Sequence, residues 1–539
     1  MPESVFSPFK YRVFSILWLA TLISNIGTWM FNVTSGWMMT ELSSSPLMVS
    51  LVQAATALPI FLFALPAGVL GDLFDRRKLL FWTQIFLAAL LLIFTALLWV
   101  GITNPWLLLA FTFSIGVGTA FASPAWQAIV PGLIPRNELA SAIVWNGVSM
   151  NIARAIGPAL GGFILAAAGA IATVFIDALS YLAVAAALLW WRVTASRTDT
   201  LPREHLSGAM RAGIRFALHS KPLRYTLIRA LAFFTCASAY WALLPIVAKE
   251  SLQGGPGLYG VLLTALGLGA VTGAFLLPLM RRRWHANTNL TLATIGAALC
   301  LTMFALGQHM VTGIVAGFIG GVSWIVAVST LNFSAQVALP DWVRARGLSI
   351  YQMAVFGAMA AGSIGWGQVT IMSNLSSALL ASGLLAIVLI LATRRFKLNL
   401  GEHHDHTPSG HWAEPVPVTL ISHDSGPVLV TLEYRIADAD RDKFFKLIRE
   451  METIRRRDGA IQWGYFEDVA DHGRFLEMFI VESWIAHLRQ HKRVSATDKL
   501  LQDEISALHQ GTTPPRVTHA VTPQLEGQQP TVPKTHYDI

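Results

Sequence analysis

Twelve apolar runs recur along the 539 residues of this chain, each long enough to cross a hydrocarbon core of ~30 Å. They fall at Val13–Met38, Leu47–Leu70, Leu79–Val100, Pro105–Val130, Leu139–Ala166 and Ile171–Trp191. The second set is Tyr225–Ala248, Tyr259–Leu279, Leu290–Leu306, Val311–Leu339, Leu348–Thr370 and Leu375–Thr393. Such runs predict an all-α polytopic membrane protein. The composition agrees: 54% hydrophobic and 13% charged residues are too apolar for a soluble chain. A net charge of +8 would suit nucleic acid, but the Lys and Arg residues sit between the apolar runs, where membrane orientation explains them better. Cys236 and Cys300 lie inside apolar runs, which speaks against a disulfide framework. Lys10 and Arg12 precede the first run without a small-residue cleavage site, so that run reads as an uncleaved span.

Basic residues alternate from loop to loop. Arg76, Arg77, Lys78, Arg136, Arg281, Arg282, Arg283, Arg344, Arg346, Arg394 and Arg395 share one side with the N-terminus and the central connection, while the opposite loops hold Lys249 and little else. The positive-inside rule then places both termini in the cytoplasm. The halves also repeat: Gly68 with Gly273, Arg76 with Arg281 and Pro135 with Pro340 are each 205 residues apart. A duplicated six-helix bundle predicts a cavity between the halves near the bilayer midplane. The second copy lacks an acid, with Leu277 and Pro278 where Asp72 has its counterpart. The expected divisions are residues 1–192 and 223–397 for the bundles and 193–222 for a linker. In that linker Leu206, Met210, Ile214 and Leu218 recur at helical spacing beside Arg211 and Arg215, as in an interfacial helix or an ordinary linker helix.

Gly68-Val-Leu-Gly-Asp72-Leu-Phe-Asp75-Arg76-Arg77-Lys78 resembles the cytoplasmic loop signature of the major facilitator superfamily, with Asp75 where that family has a glycine. Four further stretches resemble one branch, the transmembrane secretion effector family. They are Leu22–Met30, Pro124–Gln127 with Pro135–Leu139, Arg154–Gly162 and Pro340–Arg346. The resemblance covers almost the whole chain. It implies a twelve-helix fold and proton-linked export of a small organic molecule, siderophore or drug-like, across a bacterial inner membrane. It implies no bound cofactor, the proton gradient being the energy source. The implied partners are a small-molecule substrate and membrane lipid, not nucleic acid. A nutrient importer of the same fold, or a membrane-tethered monooxygenase, is the alternative.

Several residues stand out as candidates. Asp72 and Arg76 are four apart, on one face of a helical turn. The resemblance makes Gly68, Asp72, Arg76 and Arg77 a cytoplasmic gate whose acid engages the start of the eleventh span near Arg346, where unpaired N–H groups favour negative charge; a purely topogenic loop is the alternative. Gly157-Pro158-x-x-Gly161-Gly162 is similar to the second half of the family's antiporter motif, and equally suits close helix packing. Arg154 lies about 22 Å deep and Asp177 about 9 Å in from the other face, depths at which antiparallel helices could bring them within reach of an ion pair. Intramembrane ionisable groups are costly and mark pathways or partners. Asn25, Trp29 and Asn32 form one stripe. Ser123 and Gln127 beside Trp126, and Asn332 with Gln336, form others; all are candidates to line the cavity or to bond between helices. Thr112 stands where many drug–proton antiporters of the superfamily have an arginine, which weighs against coupling of the usual kind.

Residues 398–427 read as a linker. Its His403-His404-Asp405-His406 cluster could hold a transition metal, although surface histidines are commoner, so no metal site is assigned. Residues 428–512 then follow a strand–helix–strand–strand–helix order. That order resembles the ferredoxin-like, dimeric α+β barrel of small monooxygenases, whose sheet edges need a partner. No nucleophile–base constellation or metal set emerges between residues 421 and 510. A dimerisation or regulatory module is preferred to an enzyme, and residues 513–539 read as a disordered tail.

Overall fold

A computed structural model of the chain describes residues 6–73, 75–130, 133–135, 138–191, 206–340, 342–398, 409, 411–412, 421–422, 424–511 and 513–523, with backbone alone at 68–73, 128, 140, 206–209, 212 and 492. The linker cluster at 403–406 and residues 524–539 lie outside the described residues. The chain forms two compact units. One comprises Met1–Arg203, Tyr225–Ser334 and Leu348–Leu398; the other comprises Glu204–Arg224, Ala335–Gly347 and Asn399–Ile539. Both six-helix halves therefore belong to one unit.

In that unit, α1 (Arg12–Leu42), α2 (Pro46–Leu73), α3 (Arg76–Trp99), α4 (Pro105–Ile129) and α5 (Leu139–Trp190) make the first half. At 52 residues, or about 78 Å, α5 is too long for one crossing. It breaks at Gly169, whose φ of +78° only glycine adopts without strain. The fifth and sixth spans are thus two helices that meet at Gly169 without a polar loop. The second half is built from α7 (Lys221–Ile246), α8 (Pro256–Arg283), α9 (Ala286–Leu306), α10 (Met310–Val337), α11 (Arg344–Met372) and α12 (Leu375–Ala392). Eleven helices among the described residues are long and apolar enough to span a membrane; with α5 crossing twice, twelve crossings result.

Local chemistry sets the helix ends. The Asp75 carboxylate accepts from the N–H groups of Arg77 and Lys78 at 3.0 and 3.1 Å, so the departure from the family glycine supplies an N-cap for α3. Arg77 donates from Nε to the Leu188 carbonyl at 2.8 Å and from Nη2 to Leu189 at 3.2 Å, tying the start of α3 to the end of α5. Buried Arg229 does the same for α12, donating to the carbonyls of Thr393 and Phe396.

The second unit holds α6 (Leu206–His219), residues 335–347 and an α+β domain. The domain runs β1 (Val428–Arg435), α13 (Arg441–Asp458), β2 (Gln462–Glu467), β3 (Arg474–Val481), α14 (Trp484–Arg493), α15 (Ala496–Ser506) and β4 (Arg516–Val521). The antiparallel sheet has the order β2-β3-β1-β4. β4 corrects the reading of residues beyond 512 as a tail: it pairs with β1 from Val428↔Val521 to Glu433↔Arg516. Its side chains are mostly exposed, so it lacks the apolar alternation that marks a strand in sequence.

Inside the domain, Glu477 is fully buried and collects four donated bonds. Arg455 gives Nε at 2.9 Å and Nη2 at 3.4 Å, Tyr434 its hydroxyl at 3.1 Å and Trp463 its indole N–H at 3.0 Å. Desolvation would lower the Arg455 pKa, but the Glu477 charge outweighs it and raises it instead. The domain also grips α6. Arg215 donates to the Gly459 carbonyl at 2.7 Å and pairs with Glu482 at 3.4 Å; the Arg457 guanidinium lies 5.8 Å from the Phe216 ring, and that of Arg493 lies 4.1 Å from Trp342. Phe216 is buried against Trp342, at 5.8 Å between ring centroids, while Ile214 and Leu218 stay exposed. The face of α6 that docks is therefore not the stripe picked out by sequence spacing. Glu477→Ala would leave Arg455 buried without its counter-charge, which costs about 3–5 kcal/mol. Denaturant unfolding of the purified chain, followed at the domain's tryptophans, should show that loss, and Glu477→Gln should lose less.

Candidate substrate-binding site

Helices in lipid gain nothing from hydrophobicity against one another, so close packing of small residues must hold them. The Gly157, Gly161 and Gly162 motif supplies that packing. A Cβ on Gly157 would sit 2.6 Å from Trp29 Cβ, one on Gly161 2.8 Å from Met30 Cα, and one on Gly162 2.9 Å from Gly260 Cα. Pro158 offers its carbonyl to the same crossing, 2.8 Å from where a Gly260 Cβ would lie. This is where α5 meets both α1 and α8, and so where the first half meets the second. Two further crossings join the halves toward the same end. Lys249 Nζ donates to the Thr40 carbonyl, and Gly367 of α11 packs on Leu47 and Ser50 of α2. A cavity of about 290 Å³ lined by Glu41, Lys249 and Glu250 lies at this closed end.

Beside the glycine crossing, rings from both halves converge. Trp29 of α1 lies 6.1 Å from Trp241 of α7, and Trp241 lies 5.3 Å from Trp324 of α10. Phe234 and Tyr240 back Trp324 at 5.2 and 6.3 Å. Arg154 stands over Trp29, 5.8 Å from guanidinium to ring centroid. The three tryptophans and Arg154 are half-buried, whereas Phe234 and Tyr240 are fully enclosed. Arg154 Nε is buried without a hydrogen-bond partner, while the Trp241 indole N–H lies beside the Tyr240 hydroxyl. A guanidinium with an unmet N–H beside aromatic faces suits a planar ligand carrying acceptor oxygens.

Asp177 sits elsewhere. It is fully buried, with Oδ1 against Gly27 and accepting from Ser180 Oγ at 3.2 Å, and with Oδ2 unpartnered. Tyr181 beside it shares a hydrogen bond with Thr28 at 2.9 Å. No ion pair joins Asp177 to Arg154 among the described residues. Arg154 packs on Trp29 and Asp177 on Gly27, and these lie about 200° apart around α1. Azimuth around α1 separates the two.

The other candidates scatter. Trp126 packs into the apolar cluster around Phe14, Leu17 and Leu133, and exposed Gln127 donates to Ser123 at 3.3 Å. Asn25, Asn32 and Asn332 are half-buried and Gln336 is exposed. The side chains of Gly68 and Asp72 lie outside the described residues, so the pairing of Asp72 with Arg346 does too; Arg76 is exposed, and Arg346 opens α11. Sequence reasoning missed Trp241 and Trp324 because it followed polar stripes. Phe234, Tyr240 and Trp241 in α7 and Trp324 in α10 were the available signal.

Comparison with known proteins agrees with this architecture. A profile of the transmembrane secretion effector family matches residues 3–527. An enterobactin exporter of Escherichia coli is 27% identical over 408 residues, covering 72% of this chain and 94% of that protein. A staphyloferrin A transporter of Staphylococcus aureus is 26% identical over 257 residues, covering 47% and 64%. Among solved structures, a POT family transporter superposes with a TM-score of 0.59 at 13% identity, over 71% of this chain and 96% of that one. A bacterial homologue of the human lysosomal transporter Spinster gives 0.54 at 14%, over 74% and 97%. The chain belongs to the transmembrane secretion effector family, a branch of the major facilitator superfamily of membrane transporters.

Proposed function

We propose that this transporter exports a siderophore-like molecule with aromatic rings and acidic oxygens across the bacterial inner membrane, by alternating access. The cluster of Trp29, Trp241 and Trp324 beside Arg154 carries the reading, and the likeness to an enterobactin exporter supports its direction. The positive-inside rule puts both termini in the cytoplasm. On that orientation the end joined by Thr40 and Lys249 is periplasmic, which would leave the ring cluster to load from the cytoplasm, the loading side for an exporter.

Proton linkage is the finer part of the proposal. Asp177, fully buried with one oxygen unmet, is the group whose proton occupancy can change as α1 moves against α5. The α+β domain reads as a regulatory module that holds α6, with its exposed β4 edge available to a second copy. A chain ending at residue 398 should then keep export, whereas an enzyme acting through the domain would lose its activity.

Export from intact cells with and without the protein, using a panel of catecholates, hydroxamates and dyes, tests the substrate class. Arg154→Gln should lower catecholate export about tenfold or more, the worth of a charged hydrogen bond. Trp324→Ala should lower it about two- to tenfold through lost stacking. Dye export equal to catecholate export, or indifference to both substitutions, would count against this site. In proteoliposomes, Asp177→Asn should abolish pH-driven flux while leaving substrate counterflow; equal loss of both would remove Asp177 from coupling.

A further inference from the structure

We infer that His487, His491 and His519 form a binding site for a first-row transition-metal dication of the zinc type. The site lies in the α+β domain and does not depend on the transport reading. His487 and His491 are four apart on α14, which puts both rings on one face. β4 brings His519 opposite Val430, a buried residue of β1, and so onto the face of the sheet that α14 covers. One nitrogen from each ring lies within 4.8 Å of the others. His487 Nε2 and His491 Nε2 are 3.1 Å apart, close to the ~3.3 Å between two nitrogens that share a tetrahedral zinc at ~2.0–2.1 Å.

The surroundings suit a metal better than they suit empty packing. With Nε2 of His487 and Nε2 of His491 facing one another, Gln490 lies beside the His487 ring as an outer-sphere partner for its other nitrogen. Arg455, whose charge reaches both rings, is itself matched by Glu477 at 2.9 Å. Trp412 packs on His491 at 4.9 Å and Trp484 on His487 at 5.6 Å, shielding the site while exposed His519 leaves it an entry. Three imidazoles are a ligand set for zinc, copper, nickel or iron, and they leave a fourth position for water or an exogenous ligand. Binding would also clip the edge strand β4 to α14.

Equilibrium dialysis of the full-length protein in detergent against zinc, after stripping with a chelator, should find one tightly held ion per chain. His519→Ala removes an exposed ring, and His491→Asn shortens a half-buried one. Each should weaken binding by more than the ~10–100-fold typical of outer-sphere changes. A chain with His403→Ala, His404→Ala and His406→Ala should bind as the wild type does. Hydrogen exchange should slow in residues 516–521 when zinc is added to the wild type but not to His519→Ala. If His491→Asn reduces the folded yield, His519→Ala decides alone. Wild-type-like binding by His519→Ala, loss of binding in the linker variant, or no ion held by the wild type would each overturn the assignment.

Discussion

The architecture of the membrane unit depends on one close approach, the crossing of α5 over α1 and α8 at Gly157, Gly161, Gly162 and Gly260. Side chains of any size there would force the helices apart, and lipid offers no hydrophobic penalty to bring them back. The same crossing sets the chemistry. Gly157 seats Trp29, Arg154 one turn earlier lies over that ring, and the α5–α8 contact brings the second half's rings toward it. A motif that resembles the family's antiporter signature thus acts here first as the hinge surface between the halves.

Much of this was legible in the sequence. Span length, basic loops and caps are local properties. The Asp75 cap, the Asn104 and Asn374 caps and the starts at Pro46, Pro105 and Pro256 follow directly from residue type. What failed was long-range. Arg154 and Asp177 were placed by depth, which counting residues gives, but their pairing turns on azimuth, which depends on α1 passing between them. The tryptophan cluster needs α1, α7 and α10 brought together, and no single span reports that. β4 and the histidine cluster were hidden for a related reason: an exposed edge strand has no apolar period, and His519 meets α14 only through the sheet.

The second unit gathers two connections of the second half around the α+β domain. α6 leads into α7, and residues 335–347 join α10 to α11, so the domain holds two connections of the second half at once through Arg215, Phe216 and the Arg493–Trp342 stack. Phe216 is buried and Arg215 and Trp342 are half-buried, so the contact combines apolar burial with charge-assisted bonds.

The account stands on the halves separating at the Thr40–Lys249 end once per transport cycle. Introducing Glu41→Cys and Glu250→Cys places two thiols on the wall of the same cavity, while the native Cys236 and Cys300 remain buried. A short, reducible thiol crosslinker across that cavity should stop export in proteoliposomes, and reduction should restore it. Undiminished export at complete crosslinking would contradict alternating access through this end.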